Sequence, residues 1–187
     1  MKITIDGIHT VLHTIDCEDA QNIIQLRNQP QINKHLSSSR EISLIEQKQW
    51  LFDNAQKKDG IYLKIISKKD NCFCGTISIY NVDIERNAEF GRYICTRSLQ
   101  AIEAELLIVR FAFDVMKLNN LYCRTAALNT KVWRQHYEYG FVDNGEELFE
   151  EKNIILKRQN LTQSYYSNFD YSNFDNLLNK IKYKTIC

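Results

Sequence analysis

The sequence predicts a mixed α/β (α+β) fold, on three observations made along the middle of the chain. Residues 61–94 contain three strand-like runs joined by short turns, which is typical of an antiparallel meander. Apolar residues recur at three- and four-residue steps over residues 99–117, which predicts one buried helix. A strand-like run at residues 121–127 follows, and a right-handed crossover would lay it parallel to the strand before the helix. We therefore expect a mostly antiparallel central sheet flanked by helices.

Length and composition restrict the class of protein. The chain has 187 residues, of which 44% are hydrophobic and 25% are charged, as expected for one soluble globular domain with a core. Its formal net charge is +1, so no overall field favours nucleic acid or a membrane surface as a partner. No apolar run approaches the roughly 20 residues that a membrane helix needs, and the first residues lack the apolar core of a signal peptide. The expected location is the cytoplasm.

The N-terminal third predicts one strand and two helices. Residues 9–15 form a strand-like run, and Asp16 can cap a helix over residues 17–27 with carboxylates in its first turn. Residues 31–39, after the single proline, are polar and predicted to be irregular. The pattern Ser43-x-x-Glu46 fits a capping box that opens a second helix, which ends near residue 54.

The stretch from residue 89 to residue 141 is predicted to hold a ligand slot. Residues 89–94 predict a strand, and the interior Gly91 indicates a bulge or a close backbone approach. Asn129 can cap a helix over residues 131–139, which Gly140 ends. A strand that splays at a bulge, beside the N-terminus of a buried helix, leaves backbone N–H groups and a positive helix end facing one slot. Such a slot suits an extended, amide-bearing ligand with phosphates.

The last part of the chain predicts a strand pair and then an extension. Residues from 142 to 156 supply the pair, and the composition changes after Arg158. We therefore predict a domain over residues 1–158 and a C-terminal extension over residues 159–187, which repeats the motif Tyr-Ser-Asn-Phe-Asp at residues 166–175. The extension is either packed or frayed, or it serves as a dimer arm or a lid over the substrate.

Cysteine and histidine spacing argues against a metal site. The six cysteines form no C-x-x-C pair and are expected to be reduced, mostly buried thiols. His9 and His13 are four residues apart, which suits zinc only on a helix, and they fall in a predicted strand.

Five features in order resemble the GNAT superfamily, the acyl-coenzyme A-dependent N-acetyltransferases. They are Ala88-Glu-Phe-Gly-Arg-Tyr-Ile94, Glu103-Ala104, Phe111-Ala-Phe113, Asn129 and Gly140-Phe141. The resemblance covers roughly residues 8 to 157, and Leu26-Arg-Asn28 is similar to the branch that acetylates ribosomal protein N-termini and amino sugars. One departure is the segment of residues 95–102, which lacks the glycines of the family's pyrophosphate loop and is about three residues short.

The resemblance implies acetyl-CoA as the cosubstrate. Backbone groups of Tyr93, Ile94 and Cys95 would pair with the pantetheine arm and polarise the thioester. Either the altered loop and the first helical turn, with Arg97, Gln100 and Ala101, face the pyrophosphate, or phosphate binding is weak or lost. Asn129 would contact the coenzyme amide.

Acetyl transfer needs a base for the amine and a proton for the departing thiolate. Glu89 occupies the position of a carboxylate thought to act as the base in several branches; alternatively it is a rim carboxylate paired with an arginine such as Arg92. Asn87, two residues before it, can hold a water or a substrate hydroxyl. His136 stands where many relatives carry a tyrosine, so His136 or the adjacent Tyr137 is the candidate proton donor; a surface histidine is the alternative.

The expected acceptor is an amino sugar carried on a nucleotide diphosphate, used for surface glycans. Arg27 and Asn28 are candidates for substrate contact, although an arginine paired with a neighbouring carboxylate fits equally well, and Lys34, His35 and Arg40 can face an anionic acceptor. Acetylation of ribosomal protein N-termini and a non-catalytic binding protein that kept the fold are the alternatives. A homodimer is a further expectation.

Overall fold

The computed structural model of the protein describes residues 2–33 and 40–186, and nine strands of these residues form one sheet. The strands are β1 (Lys2–Asp6), β2 (Thr10–Thr14), β3 (Ile61–Ser67), β4 (Phe73–Tyr80), β5 (Asn87–Cys95), β6 (Asn120–Ala126), β7 (Val142–Phe149), β8 (Ile154–Thr162) and β9 (Lys182–Ile186). The helices are α1 (Ala20–Arg27), α2 (Pro30–Asn33), α3 (Leu44–Gln56), α4 (Ser98–Arg110), α5 (Thr130–Tyr137), α6 (Gln163–Asn168) and α7 (Asp175–Leu178). The strand order is β7-β8-β6-β5-β4-β3-β2-β1-β9.

The predicted mixed α/β sheet is confirmed, and it splays where two parallel strands meet. All the neighbouring strands pair antiparallel except β5 and β6. Their parallel pairing covers only Asn87 to Glu89 against Asn120 to Tyr122. Beyond that point β5 continues for six more residues without β6 beside it, so the sheet opens into a fork.

A bulge in β5 widens this fork. The register with β4 passes from Ser78 opposite Gly91 to Thr76 opposite Ile94, so three steps along β5 match two along β4. Arg92 lies in the extra turn with φ of 46°, in the left-handed region that few side chains adopt. The hydroxyl of Ser78 donates to the carbonyl of Gly91 at 3.1 Å, and that of Thr76 to the carbonyl of Arg92 at 3.0 Å. The predicted bulge is therefore present, and two side chains of β4 hold it.

The buried helix α4 crosses the sheet and fills its core. Leu106, Leu107, Ile108 and Val109 have no exposed surface. The sequence predicted one helix to residue 117, whereas α4 ends at Arg110 and continues as a π-helix over Phe111–Val115. The wider turn lets the N–H of Leu118 reach the carbonyl of Ala112 at 3.0 Å, which ends the helix in front of β6.

The N-terminal elements follow the predicted caps, with three differences. Asp16 and Ser43 each form a capping box, the first opening a 3-10 turn at Cys17–Asp19 and the second α3. Strand β1 was not predicted from the sequence, although β2 follows it after only three residues; its other partner, β9, lies at the far end of the chain. Pro30 begins the short α2 rather than an irregular loop, because proline is well suited to a first helical turn. The predicted contacts Lys34 and His35 lie outside the described residues.

Residues after 158 continue the same unit. The proposed boundary falls inside β8, and Tyr166 and Tyr171 belong to the main hydrophobic core. Strand β9 then pairs with β1 along its whole length. Within the part of the chain that the structure covers, no helix is long and apolar enough to span a membrane.

Candidate active site

A cavity of about 590 Å³ opens at the fork between β5 and β6. Residues 89–94 of β5 form one wall and residues 123–126 of β6 the other. Helices α1, α3 and α5 also contribute side chains to the lining. Seven of the residues predicted from the sequence meet here: Arg27, Arg40, Glu89, Tyr93, Ile94, Asn129 and His136. This concave site therefore coincides with the predicted slot.

Glu89 is the buried carboxylate of this cavity. Only 4% of its surface is exposed, and both carboxylate oxygens accept hydrogen bonds from Arg124, from Nε at 3.0 Å and from Nη2 at 3.0 Å. A second amino group of Arg124 reaches Glu147 at 3.1 Å. The hydrogen bonds that Arg124 donates to Glu89 and Glu147, with burial opposing them, raise the pKa of Arg124 above its usual value. The site thus presents a fixed carboxylate in a two-point ion pair.

Glu89 is paired with an arginine, as the alternative drawn from the sequence had it, but the partner is Arg124 rather than Arg92. The bulge turns the Arg92 side chain toward α3, where its guanidinium lies 4.1 Å from the ring centre of Tyr80 and 5.0 Å from that of Trp50. It donates one hydrogen bond to Asn54 at 3.0 Å. The contacts are those of a cation stacked on aromatic rings, with no carboxylate among the described residues within ion-pair distance.

Arg27 is a second cation of the cavity wall. Burial lowers the pKa of this guanidinium from its usual value, while the nearby Tyr62 acts in the opposite direction. Its side chain joins no ion pair with the described residues, so the predicted pairing of Arg27 with a carboxylate is absent there. Arg40, by contrast, is neutralised by Glu46 at 2.8 Å.

The helix end predicted to receive the pyrophosphate lies close to the fork. Only Thr96 and Arg97 separate β5 from α4, and no side chain of the described residues caps the first turn of α4. Its first N–H groups are therefore oriented to receive an anion, as in any helix of this length. Gln100 lies buried in that turn, and the carbonyl of Ala101 accepts a hydrogen bond from the Tyr93 hydroxyl at 3.0 Å.

His136 projects into the protein rather than to the surface, so the surface alternative is wrong. It is 1% exposed and lines the cavity from α5. Nδ1 lies 2.8 Å from Oε1 of Gln159 and 3.3 Å from Sγ of Cys123, and Nε2 lies 3.4 Å from Oε1 of Glu105. Burial lowers the pKa of His136 to about 4, with the hydrogen bond between Nδ1 and Gln159 acting against it. At neutral pH the imidazole is uncharged.

Other predicted site residues lie away from the cavity and make local contacts. The Tyr137 hydroxyl donates to Asp143 at 2.7 Å, and Asn87 binds Asp83 through its amide and its backbone N–H. Arg97 is paired with Asp70 at 2.7 Å, so its charge is already balanced. Asn28 and Cys95 also belong to this group. Asn28 ends α1 on the surface, and the Cys95 thiol donates to the carbonyl of Arg97.

Asn129 begins α5 at the cavity wall but does not cap it with its side chain. Its amide is therefore available to a ligand, in keeping with the predicted contact. No group of three metal-binding side chains occurs among residues 2–33 and 40–186. The cysteines in these ranges are unpaired, and Cys17 and Cys72 are exposed rather than buried.

Sequence reasoning missed Arg124, Arg92 and Trp50 as cavity residues. Arg124 carried one signal, since it is a charged residue inside an otherwise apolar strand and could have been matched to the buried Glu89. Arg92 carried none, because only the bulge turns its side chain to the same side as α3.

Comparisons with known proteins agree with this geometry. A comparison with curated protein sequences gave no match. A spermidine N-acetyltransferase from Vibrio cholerae, solved with CoA and spermine, superposes with a TM-score of 0.75 at 20% identity, covering 86% of this chain and 99% of that one. A nucleotide-linked sugar GNAT, FdhC, superposes with a TM-score of 0.75 at 20% identity over 88% of this chain and 92% of that one. An acetyltransferase of the GNAT family from Bacillus anthracis superposes with a TM-score of 0.74 at 14% identity, covering 86% of this chain and 99% of that one.

At such identities the superpositions establish the fold, and the family is established by sequence. The family model described as "Acetyltransferase (GNAT) domain" matches residues 9–142, well over half of the chain. That range contains the fork, the bulge and α4. The protein therefore belongs to the GNAT family of acetyl-CoA-dependent N-acetyltransferases.

Proposed function

We propose that the protein transfers the acetyl group of acetyl-CoA to the primary amine of an anionic acceptor, of the class of nucleotide-linked amino sugars. One observation carries the choice of acceptor. Two cations of the cavity, Arg27 and Arg92, have no carboxylate partner among the described residues, while the remaining arginines of the wall are paired.

The charge balance of the wall favours an anion. Its charged side chains are the four cations Arg27, Arg40, Arg92 and Arg124 and the two anions Glu46 and Glu89. Two positive charges therefore remain unbalanced in a partly desolvated space, where an unpaired charge is costly and a phosphate is stabilised. A polyamine would be repelled by the same charges. The likeness to spermidine N-acetyltransferases, at about 20% identity, is a likeness of fold and does not identify the acceptor.

Aromatic side chains beside the two arginines suit a sugar or a base. Trp50 meets Tyr62 edge to face at 5.4 Å between ring centres, and the ring of Tyr80 stacks against Arg92. Flat rings next to guanidinium groups offer a stacking surface and a phosphate site within one cavity.

The fork fits an extended cosubstrate. Past Glu89 the edge of β5 has no strand beside it, so alternate backbone groups of residues 91–95 face the cavity and can pair with an amide-bearing arm. When bound there, acetyl-CoA supplies the activated acyl group. Glu89 lies on the same wall, where its fixed carboxylate would orient the amine and accept its proton, directly or through water.

The test is a comparison of acceptors on purified protein. We expect kcat/KM for a nucleotide-linked 4-amino-4,6-dideoxy sugar to exceed the values for spermidine and for a peptide with a free N-terminus by at least tenfold. Arg92→Met removes one cation and should raise KM for the sugar nucleotide about 10- to 100-fold, the worth of a charge-assisted hydrogen bond. Arg134→Met, the same change on an exposed face of α5, should leave KM unaltered.

Glu89→Gln separates chemistry from binding in the same assay. It should lower kcat about 100-fold or more while acetyl-CoA binding, followed by calorimetry, is retained. Faster turnover of spermidine or of the peptide would overturn the choice of acceptor. Absence of acetyl-CoA binding at millimolar ligand would favour a non-catalytic member of the fold.

A further inference from the structure

Three buried groups form a chain behind the wall of the cavity. Cys123 belongs to β6, His136 to α5 and Glu105 to α4, and their exposed fractions are 2%, 1% and 0%. Sγ of Cys123 lies 3.3 Å from Nδ1 of His136, whose Nε2 lies 3.4 Å from Oε1 of Glu105. Cys123 and His136 line the cavity, and Glu105 lies deeper in the core. The chain therefore runs from the core to the cavity.

Cys123 stands at the apex of the fork. It is the first residue of β6 after the last parallel pair, in which Tyr122 lies opposite Glu89. An extended arm that pairs with β5 beyond this point passes Cys123 on its way into the cavity. The thiol is thus placed near the reacting end of such an arm.

The hydrogen-bond partners of Gln159 determine the tautomer of His136. The Gln159 amide donates through Nε2 to the carbonyl of Trp133 at 3.0 Å, so its Oε1 is the atom that faces His136. Since Oε1 can only accept, Nδ1 of His136 carries the hydrogen and Nε2 carries the lone pair. The lone pair faces Glu105.

Glu105 is then the donor to Nε2. Apart from each other, Oε1 of Glu105 and Nε2 of His136 have no hydrogen-bond partner among the described residues. Full burial raises the pKa of Glu105 well above its usual value, against a hydrogen bond from Gln135 to its other oxygen at 2.7 Å. A protonated Glu105 satisfies both orphaned atoms with one hydrogen bond.

All the hydrogens that link Glu105, His136 and Cys123 then point toward the cavity. Glu105 donates to Nε2 of His136, and the Nδ1–H of His136, besides serving Gln159, is directed at Sγ of Cys123. Burial raises the pKa of the Cys123 thiol, so the sulfur keeps its own hydrogen at neutral pH. With Sγ accepting from the imidazole, the S–H bond is free to turn into the cavity that Cys123 lines.

We propose that Cys123 is the acid that protonates the departing thiolate of CoA, with His136 and Glu105 as positioning residues that resupply its proton. The C–S bond of the thioester breaks and leaves the electron pair on sulfur. The Cys123 hydrogen passes to that sulfur, the Nδ1 hydrogen passes to Cys123, and the Glu105 hydrogen passes to Nε2. The negative charge ends on Glu105, which regains a proton along the same chain once CoA has left.

This assignment replaces the two donors expected from the sequence. Tyr137 is exposed and bound to Asp143, and the single N–H of the neutral His136 faces Gln159 and Cys123, so it reaches a ligand only through the Cys123 thiol. The inference rests on the acetyl transfer proposed above but is independent of the acceptor, because every acceptor expels the same thiolate.

The first test compares Cys123→Ala and Cys123→Ser with Cys74→Ala, which removes an equally buried thiol from β4 outside the cavity. Both Cys123 variants should lose kcat roughly 100-fold and keep the Kd for acetyl-CoA, because a serine hydroxyl fills the space but is a far weaker acid. Turnover is followed with the best acceptor or as slow hydrolysis of acetyl-CoA. Full activity of Cys123→Ser would show that the thiol only packs, and would overturn the proposal.

A second measurement needs no turnover. Alkylation by iodoacetamide, read by mass spectrometry, should be slowed at Cys123 by saturating CoA, and the exposed Cys72 should react equally with and without it. Binding of CoA without protection of Cys123 would overturn this inference alone. A protein that binds no CoA would overturn both this inference and the proposed function.

Discussion

At the scale of single residues, His136 links the charge of one ring to the stability of the fold. The ring is buried between Phe90 and Phe141, with ring centres 5.7 and 5.4 Å away. Burial lowers its pKa to about 4 in the folded protein, whereas an unfolded histidine titrates near its usual value of about 6.5. As the pH falls through this window, the unfolded chain binds a proton that the folded chain refuses. The stability that the neutral ring provides above pH 6.5 is therefore lost toward pH 4.

We expect His136 alone to lower the free energy of unfolding by about 2 kcal/mol between pH 7 and pH 5. Glu105 titrates in the opposite sense, since its raised pKa favours the folded state at low pH. Urea unfolding at both pH values gives the fall in the free energy of unfolding for wild type and for His136→Gln. The difference between these two falls is the contribution of the histidine. An equal fall in wild type and variant would contradict the assignment of a neutral buried ring.

Individual side chains also show the limit of sequence reasoning. Glu89 could be predicted because the segment of residues 88–94 resembles the GNAT family, several branches of which have a carboxylate at this position. Its partner Arg124 lies 35 residues away, and the pairing depends on which strands become neighbours. His136 and Tyr137 are adjacent in sequence, and only the rotation of α5 decides that one is buried and the other exposed.

At the scale of elements, the bulge in β5 connects backbone conformation to the acceptor surface. A side chain at φ of 46° costs about 1–2 kcal/mol, and the hydroxyls of Thr76 and Ser78 offset part of this by binding the two carbonyls of the turn. The bulge in turn directs Arg92 toward Tyr80 and Trp50. Two hydroxyls on a neighbouring strand thus determine where a cavity cation lies.

The double variant Thr76→Val, Ser78→Ala should release this turn. We expect a loss of about 2 kcal/mol in unfolding free energy, about 1 kcal/mol for each hydrogen bond, and a rise in KM for the acceptor as Arg92 moves. Urea denaturation and steady-state kinetics are the measurements. Thr185→Val on the exposed edge strand β9 is the control, and a double variant as stable as this control would contradict the role of the hydroxyls.

The elements differ in how well sequence predicts them. The apolar period of α4 and the caps at Asp16 and Ser43 are local signals, and both were confirmed by the structure. The π-helix at Phe111–Val115 has the same side-chain pattern as an α-helix, so no local signal separates them. Strand β9 pairs with β1 at the opposite end of the chain, and no local pattern predicts such a long-range pairing.

At the scale of the whole molecule, the C-terminal residues complete the core. Tyr166 stacks on Phe113 with ring centres 4.5 Å apart and donates to Asp114 at 2.7 Å. Tyr171 donates to the carbonyl of Tyr139 at 2.9 Å, directly before the turn at Gly140. The segment therefore supports the end of α5, which carries His136.

Tyr166→Ala should destabilise the protein by about 3–5 kcal/mol, as expected when a buried aromatic side chain is removed from a core. The adjacent Tyr165 is 49% exposed, so Tyr165→Ala should cost about 0.5 kcal/mol or less. Thermal and urea unfolding of the two variants provide the measurement. Equal losses would show that the segment is not part of the folding unit.

The φ angle of Arg92 has a consequence for how this chain would change under selection. Glycine adopts the left-handed region without strain, so Arg92→Gly relieves the turn while it removes the cation from the cavity. A library varied at position 92 and screened for heat resistance would accumulate glycine. The same library screened for turnover would retain arginine, and the two enriched pools would diverge at this one codon.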